Sequence, residues 1–217
     1  MQVLQKDLKA VSLAMAVKDI RYYLQGVLFE SNGAFTRLVA TDGHRLHMIQ
    51  TEDATKAIEA PVSFIMPSDM VKNCLKAKPP RGVNDPYIGV HVNEKGKIEA
   101  NLPDGSLLVS QAIDGSFPDY CRIVDNCFNH SGNSEPEIAV FNPDYVSDAT
   151  KAMKIYMGLS EKGILTTGIR PRGESVGILA YDNFAAFIMP LRGDISPLPN
   201  PAFAKPLQSP EPLRVVA

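Results

Sequence analysis

Hydrophobic and polar residues alternate along the chain in a pattern that predicts short strands separated by three helices. The apolar runs of the strands are rich in β-branched, aromatic and leucine residues, whereas the helical stretches repeat apolar residues at helical spacing, as Leu8, Val11 and Met15 do. The predicted helices are 6–16, 68–78 and 143–154. The predicted strands are 2–5, 21–31, 35–41, 44–51, 62–66, 87–93, 97–101, 106–113, 138–142, 163–169, 175–181 and 184–191. We therefore expect an α+β fold.

The order of these elements indicates three copies of one unit, each a strand, a helix and three strands. An aspartate begins each predicted helix and another begins a tight turn between two strands. The helix aspartates are Asp7, Asp69 and Asp144, and the turn aspartates are Asp42, Asp104 and Asp182. The separations within the pairs, 35, 35 and 38 residues, favour internal duplication. Aspartate suits both places, since it caps helix N–H groups and tolerates the positive φ of two-residue hairpins. Coincidence is the alternative, because many α+β proteins have such turns.

The units divide the chain into predicted domains. Units one and two form a complete domain over 1–126, and unit three forms half a domain over 138–192. The polar segment 127–137 contains Gly and Pro and is typical of a linker. Residues 193–217 contain six prolines and predict an extended or disordered tail.

Composition excludes several classes of protein. A net charge of −2 is not that of a protein that coats nucleic acid by bulk positive charge. Three unevenly spaced cysteines argue for reduced thiols, and no apolar run approaches the roughly 20 residues of a membrane span. Lysines and an aspartate precede the first long apolar run, unlike a signal peptide. We expect a cytoplasmic protein.

Chemistry-bearing motifs are weak. His44 and His47 are three residues apart, and Cys121, Cys127 and His130 lie close in sequence, but neither spacing matches a standard zinc site. No glycine-rich phosphate loop, nucleophile elbow or dinucleotide fingerprint is present in the sequence. We expect no metal, no cofactor and no catalytic residue, which disfavours an enzyme.

Four motifs carry a family resemblance. They are RYYLQGVLFE (21–30), LVATDGHRLHM (38–48), DGSFPDY (114–120) and FIMPLR (187–192). Together, and in this order, they resemble the bacterial DNA polymerase III beta subunit, the sliding clamp that holds a polymerase on DNA. The resemblance implies a DNA-clamp fold. Units one and two are similar to the family's middle domain, unit three to the second half of its last domain, and its first domain has no counterpart here.

In the family these motifs line a pocket for short peptides of polymerases and repair proteins. The resemblance assigns that role to residues from four segments. They are Leu24, Thr41, Gly43, His44, Arg45, Leu46, Pro118, Arg122, Met189, Pro190, Leu191 and Arg192. Leucine, proline and methionine there would receive an apolar anchor, and the arginines would orient polar peptide atoms. The alternative for any single one of them is an ordinary place in the core.

The resemblance also implies contact with double-stranded DNA without sequence preference, through helices that line the channel of a ring. The residues expected there are Lys6, Lys9, Lys18, Tyr22, Tyr23, Lys72, Lys76 and Lys151. Helix 68–78 has three lysines against one aspartate. An equally good explanation is that acids early and lysines late in a helix complement its dipole.

Two functions stay open after an enzyme is set aside. The first is a processivity clamp that encircles DNA as a homo-oligomer, binds a polymerase and other clamp-binding proteins, and has a clamp loader as a further partner. The second is a clamp-derived peptide-binding module that recruits or sequesters such partners without encircling DNA. They differ in assembly, because half a domain leaves a face that another chain, the linker or the tail must cover.

Overall fold

Two antiparallel sheets and four helices make up the computed structural model, which describes residues 1–52, 61–129, 139–165, 168–172 and 176–191. The strands are β1 (Gln2–Leu4), β2 (Gly26–Ser31), β3 (Phe35–Thr41), β4 (Arg45–Glu52), β5 (Val62–Pro67), β6 (Tyr87–Val92), β7 (Lys97–Asn101), β8 (Leu107–Gln111), β9 (Arg170–Arg172), β10 (Val176–Tyr181) and β11 (Phe184–Ile188). The helices are α1 (Gln5–Ser12), α2 (Ser68–Lys76), α3 (Cys121–Asn129) and α4 (Pro143–Tyr156), and a 3₁₀ turn spans Tyr22–Leu24. The expectation of an α+β fold is confirmed.

Strand exchange ties the two sheets together. The four-stranded sheet has the order β1-β6-β7-β8, and the seven-stranded sheet has the order β5-β2-β3-β4-β11-β10-β9. Strand β1 crosses over to pair with β6, and β5 crosses over to pair with β2. Each sheet therefore contains a strand from the sequence region that builds the other sheet.

The seven-stranded sheet joins distant parts of the chain. Strands β4 and β11 pair directly, with Leu46 opposite Phe187 and Arg45 opposite Ile188. Helices α1 and α4 also pack against each other. The predicted boundary between a domain at 1–126 and a half-domain at 138–192 thus crosses a continuous sheet and a shared core. The count of three repeated units stays a hypothesis.

Helices and strands share a core on one side of the sheets. It contains Leu8 of α1, Val71 of α2 and Met153 of α4, all fully buried, together with the stacked rings of Phe29 and Phe64. Each such side chain stabilises the fold by roughly 1.5–3 kcal/mol through burial. The helical spacing of Leu8 and Val11 in the sequence predicted the buried face of α1, whereas Met15 lies beyond the end of that helix.

A second core lies on the opposite face of the seven-stranded sheet, beneath α3. Leu28, Val39, Leu46 and Phe187 of the sheet pack there with Cys127 of α3. Central strands are therefore buried on both faces, which explains the apolar runs at 27–29 in β2 and 38–40 in β3. Helix α3 was not predicted. It begins before the predicted linker 127–137 and ends inside it, and the rest of that segment lies outside the described residues.

The aspartates at the helix starts do not act as the predicted caps. Helices α1 and α2 follow their strands without a break, and the residues at their N-caps, Leu4 and Pro67, offer no side-chain cap. In α4 the cap is Asn142, whose side chain accepts a hydrogen bond from the backbone N–H of Asp144 at 2.9 Å. Asp7 is instead buried, with an unpartnered Oδ1.

Of the three predicted two-residue hairpins, the turn at Asp182 has the expected length and the other two turns are longer. Tyr181 and Phe184 are paired across Asp182 and Asn183, and Asp182 has a φ of 51°. The Asp42 turn is longer, because β3 and β4 pair last at Thr41 and Leu46. Similarly, β7 and β8 pair last at Asn101 and Leu107 around Asp104.

Two predicted strands of the C-terminal part are wrong where the structure describes them. Residues 139–142 have no regular structure, although the Val140 carbonyl accepts a hydrogen bond from the Leu191 N–H at 2.7 Å. The described part of 163–169 is also irregular, and the short strand β9 follows it. The predicted tail, 193–217, lies outside the described residues. No helix in the described ranges is long and apolar enough to cross a bilayer.

Candidate functional site

A cleft of about 210 Å³ opens where the end of β11 meets the turn between β3 and β4. Its lining combines residues from the 3₁₀ region, the β3–β4 turn, the start of α3 and the end of β11. They are Arg21, Tyr23, Leu24, Thr41, Gly43, Arg45, Leu46, Pro118, Tyr120, Ile123, Phe187 and Met189. The cleft therefore exists only because β4 and β11, far apart in sequence, are neighbours in one sheet.

The floor of the cleft is apolar. Leu24, Leu46 and Phe187 lie there and are almost completely buried. Met189 at the mouth is 37% exposed, so its thioether side chain is free to contact a bound molecule. A concave surface of this composition suits an aliphatic or aromatic side chain.

The β3–β4 turn forms one wall and is held by local hydrogen bonds. Thr41 Oγ1 donates to the Arg45 carbonyl at 2.6 Å and accepts from the Gly43 N–H at 3.0 Å. Gly43 has a φ of +91°, and a Cβ there would lie 2.8 Å from Arg21 Nη1. Glycine is favoured at this position because other residues rarely adopt this backbone conformation. These bonds define the shape of the wall.

The end of β11 forms the opposite wall. The Met189 N–H donates to the His44 carbonyl at 2.9 Å, which continues the pairing of β4 and β11 past Ile188. This bond places the Met189 side chain at the mouth of the cleft. The backbone of the β3–β4 turn thereby positions a residue that is 145 places further along the chain.

The arginines of the cleft are already paired. Arg45 forms ion pairs with Asp148 at 2.5 Å and Asp42 at 3.2 Å, and its guanidinium lies 4.6 Å from the Tyr145 ring centre. Partial burial by itself raises the pKa of Asp148, but hydrogen bonds from Arg45 and Lys151 outweigh it and leave that pKa below its ordinary value.

Arg21 is neutralised in the same way. It pairs with Asp19 at 2.7 Å, and this side-chain hydrogen bond lowers the pKa of Asp19 to about 2. Its Nη2 also donates to the Asp42 carbonyl at 3.0 Å. The cleft is therefore an apolar site framed by compensated charges, and it attracts anions weakly.

Tyr120 and the start of α3 form the third wall. The Tyr120 ring is buried, and its hydroxyl accepts a hydrogen bond from Arg37 Nη1 at 2.9 Å and donates one to the Glu30 carboxylate. Burial raises the pKa of Tyr120, so the phenol stays protonated at physiological pH.

Seven of the twelve residues predicted for a peptide pocket line the cleft. These are Leu24, Thr41, Gly43, Arg45, Leu46, Pro118 and Met189. Four others lie outside its lining. The His44 ring stacks against the Tyr145 ring with 6.2 Å between the ring centres, and Arg122 is exposed on α3. Pro190 and Leu191 directly follow the cleft residue Met189. Arg192 lies outside the described residues.

Five lining residues were absent from that prediction. They are Arg21, Tyr23, Tyr120, Ile123 and Phe187. All of them except Ile123 lie within the four motifs, so the motifs could have identified them. Tyr23 was predicted to contact DNA instead. Ile123 carried no signal, because it enters the cleft only through the unpredicted helix α3.

Half of the lysines predicted to meet DNA are paired within the chain. Lys6 lies 2.9 Å from Asp85, Lys72 lies 3.5 Å from Asp69, and Lys151 lies 3.2 Å from Asp148. The remaining predicted lysines, Lys9, Lys18 and Lys76, are exposed. Tyr22 is also exposed, and its hydroxyl donates to the Asp114 carbonyl at 2.9 Å. Within the described parts of the chain, no three His, Cys, Asp or Glu side chains are placed to hold a metal ion.

Comparison with known proteins identifies relatives of this architecture. Residues 1–119 match the model of a family described as DNA polymerase III beta subunit, central domain. The beta sliding clamp of Escherichia coli K12 is 32% identical over 125 residues, which cover 56% of this chain and 31% of that protein. The beta sliding clamp of Haemophilus influenzae is 32% identical over 186 residues, which cover 83% of this chain and 48% of that protein.

Solved structures show the same fold. The DNA polymerase III beta subunit of Thermotoga maritima superposes with a TM-score of 0.65 at 19% identity, covering 89% of this chain and 65% of that one. The subunit from Pseudomonas aeruginosa gives 0.61 at 22% identity, covering 88% and 66%. The matched parts of the chain span 31% and 48% of the length of these two curated relatives.

Proposed function

Because the chain belongs to the family of DNA polymerase III beta subunits, the sliding clamps, we propose that it is a clamp-like, non-enzymatic DNA replication factor. Its cleft binds short peptides from a polymerase and from repair proteins, and its helices α1, α2 and α4 meet double-stranded DNA without reading sequence. The observation that carries the proposal is the cleft itself, which is assembled from four separated segments and lined by seven of the residues expected from the family.

The lining determines what kind of peptide the cleft accepts. Leu24, Leu46 and Phe187 offer an apolar floor, so the binding energy comes from a leucine or phenylalanine anchor that leaves water. Arg21 and Arg45 are paired with carboxylates of the chain, so an acidic residue in the peptide adds little. Backbone groups and the exposed Arg122 orient the polar atoms of the peptide.

DNA contact requires that the chain be held around or against the duplex. Lys9, Lys18 and Lys76 are exposed, and Lys72 is 62% exposed beside Asp69, so all four can contact phosphates, which carry no sequence information. A closed ring needs a homo-oligomer, with a clamp loader to open it. The terminal strand β8 of the four-stranded sheet is available for association, because it lies at a sheet edge and its Leu107 and Val109 are more than half exposed.

The second candidate, a peptide-binding module that does not encircle DNA, is favoured by the ion pairs of the helices. Lys6, Lys72 and Lys151 are each engaged by a carboxylate of the chain, which reduces the positive field on the helical side. The two candidates share the cleft and differ only in retention on DNA.

Peptide binding tests the shared part of both candidates. A fluorescent peptide with a glutamine followed by a leucine-phenylalanine anchor should bind with micromolar affinity, about −8 kcal/mol. Met189→Asp should abolish this binding, because a carboxylate at the mouth must lose water against an apolar floor. Val83→Asp, at an exposed apolar residue outside the cleft lining, is the matched control and should bind normally. Equal binding by wild type and Met189→Asp would place the peptide site elsewhere.

A further inference from the structure

Tyr120 connects the cleft to the outer surface of the seven-stranded sheet. Its ring lines the cleft, while its hydroxyl lies between Arg37 and Glu30. Its backbone carbonyl accepts hydrogen bonds from the N–H groups of Ile123 at 3.0 Å and Val124 at 3.1 Å, which begin helix α3. One residue thus joins the strands, the helix and the cleft.

Arg37 is built into the sheet beside it. The residues opposite Arg37 are Glu30 on β2 and Gln50 on β4, so three polar side chains stand in a row across neighbouring strands. Arg37 donates from Nε and Nη2 to Gln50 Oε1, at 3.1 and 2.6 Å, and from Nη1 to the Tyr120 hydroxyl. Its guanidinium also lies 5.9 Å from the centre of the Tyr120 ring. The three guanidinium nitrogens of Arg37 are therefore engaged by Gln50 and Tyr120.

The other contacts of α3 with the sheet are mainly apolar. Cys127 is buried against the sheet, and Ile123 and Val124 pack at its edge. Apolar contacts hold a helix against a surface but do not fix its position along that surface, whereas hydrogen bonds are directional. Among the described residues, Arg37 and Glu30 supply directional bonds to the Tyr120 hydroxyl, at the end of α3 that borders the cleft.

We propose that Arg37 is a positioning residue for peptide binding. It lies outside the cleft lining and acts through Tyr120. By holding the Tyr120 hydroxyl together with Glu30, it sets the wall formed by Pro118, Tyr120 and Ile123 before a peptide arrives. A preformed wall saves the entropy of ordering on binding, so the affinity depends on a residue the peptide never touches. This inference rests on the proposed peptide-binding function.

Two variants remove the interaction from its two ends. Arg37→Met keeps the length of the side chain, and Tyr120→Phe keeps the ring that lines the cleft. Each should weaken peptide binding about five- to tenfold, the effect of losing one ordinary hydrogen bond. The double variant should be no weaker than the stronger single variant, because both changes remove one interaction. Arg81→Met, at an exposed arginine outside the cleft, is the control for loss of charge.

A second measurement does not depend on the peptide. Cys121 is exposed at the start of α3, Cys127 is buried on the side of α3 that faces the sheet, and Cys74 of α2 is buried in the core on the other side of that sheet. In the native protein a thiol reagent, followed by mass spectrometry, should label Cys121 first. Arg37→Met and Tyr120→Phe should each speed the labelling of Cys127 and leave Cys74 protected. A general loss of stability would instead expose both buried thiols together.

The outcomes separate the inference from the proposed function. Weakened binding with selective labelling of Cys127 supports both. The positioning role is overturned if Arg37→Met and Tyr120→Phe both bind the peptide as tightly as the wild type. It is also overturned if Arg81→Met loses as much affinity as they do. If the wild type itself binds no peptide, the proposed function fails. Selective labelling of Cys127 would then still support the positioning of α3, and unchanged labelling would overturn it.

Discussion

Arg45 on β4 and Asp148 on α4 form an ion pair with 2.5 Å between Nη1 and Oδ2. The pair joins residues 103 positions apart and connects the β3–β4 turn to the C-terminal segment that supplies Met189. Only 11% of the Arg45 side chain and 27% of the Asp148 side chain are exposed. The pair therefore holds together the two parts of the chain that make the cleft.

Removal of Asp148 should destabilise this junction. Asp148→Ala leaves the Arg45 guanidinium with less compensation in a mostly buried place, and we expect a loss of about 1–2 kcal/mol, between the values for exposed and buried pairs. Urea unfolding measures the loss. Lys151→Ala is the control, because Lys151 contacts the same carboxylate but is 61% exposed. A loss in Asp148→Ala no larger than in Lys151→Ala would mean that the pair contributes little.

Two buried groups should give opposite pH dependences that nearly cancel in the wild type. Burial raises the pKa of Asp7 from 3.8 to about 6, although Lys6 opposes the rise. The folded state therefore holds this proton more tightly, and stability from Asp7 is present below pH 3.8 and lost as pH rises through 6. Burial lowers the pKa of His47 from 6.5 to about 4, so its contribution is present above pH 6.5 and lost as pH falls through 4.

Asp7→Asn should uncover the histidine dependence. Its free energy of unfolding should rise between about pH 4 and pH 6.5, by roughly 3 kcal/mol at most, since each pKa unit is worth about 1.4 kcal/mol. His47→Gln should show a fall over nearly the same range. Urea unfolding at several pH values checks both, with the wild type flatter than either variant. A wild type as steep as Asp7→Asn would contradict the cancellation.

Retention on DNA should separate the two candidate functions. For the encircling clamp, the protein should stay on circular DNA, leave linear DNA with free ends, and lose affinity steeply with salt. Lys72→Glu with Lys76→Glu, both on α2, should abolish retention. Lys95→Glu with Lys97→Glu, in the turn before β7 and at its first residue, is the control and should leave retention unchanged. Equal retention of the wild type on circles and linear DNA would rule out encirclement and favour the peptide-binding module.

The exposed edge of β8 should contribute to self-association. A lysine at an edge strand disfavours pairing with another chain, because its charge would have to be buried. Val109→Lys should therefore lower the mass seen by light scattering if the edge is used. Ile164→Lys is the control, since Ile164 is exposed in a region without regular structure. An unchanged mass in Val109→Lys would exclude this edge from the contact between copies.

Local patterns in the sequence were enough for most of the elements. Strands at 35–41 and 97–101 were predicted with the bounds the structure shows, because strand composition and turn residues act over a few positions. The four motifs also contain every lining residue of the cleft except Ile123. Such features depend on residues that are neighbours along the chain, so they can be recognised from the sequence alone.

Tertiary structure decided how those elements meet. The pairing of β4 with β11 and the ion pair of Arg45 with Asp148 join distant segments, and nothing local encodes which edge or carboxylate is chosen. Helix α3 forms because its apolar side, with Cys127, is buried on a sheet that the whole chain must first assemble. The sequence pattern predicted that Asp7 caps a helix. In the structure β1 runs directly into α1, Leu4 occupies the N-cap, and Asp7 is a buried carboxyl group. The sequence by itself determined the parts and their order, and the packing of apolar faces over long chain separations determined the site.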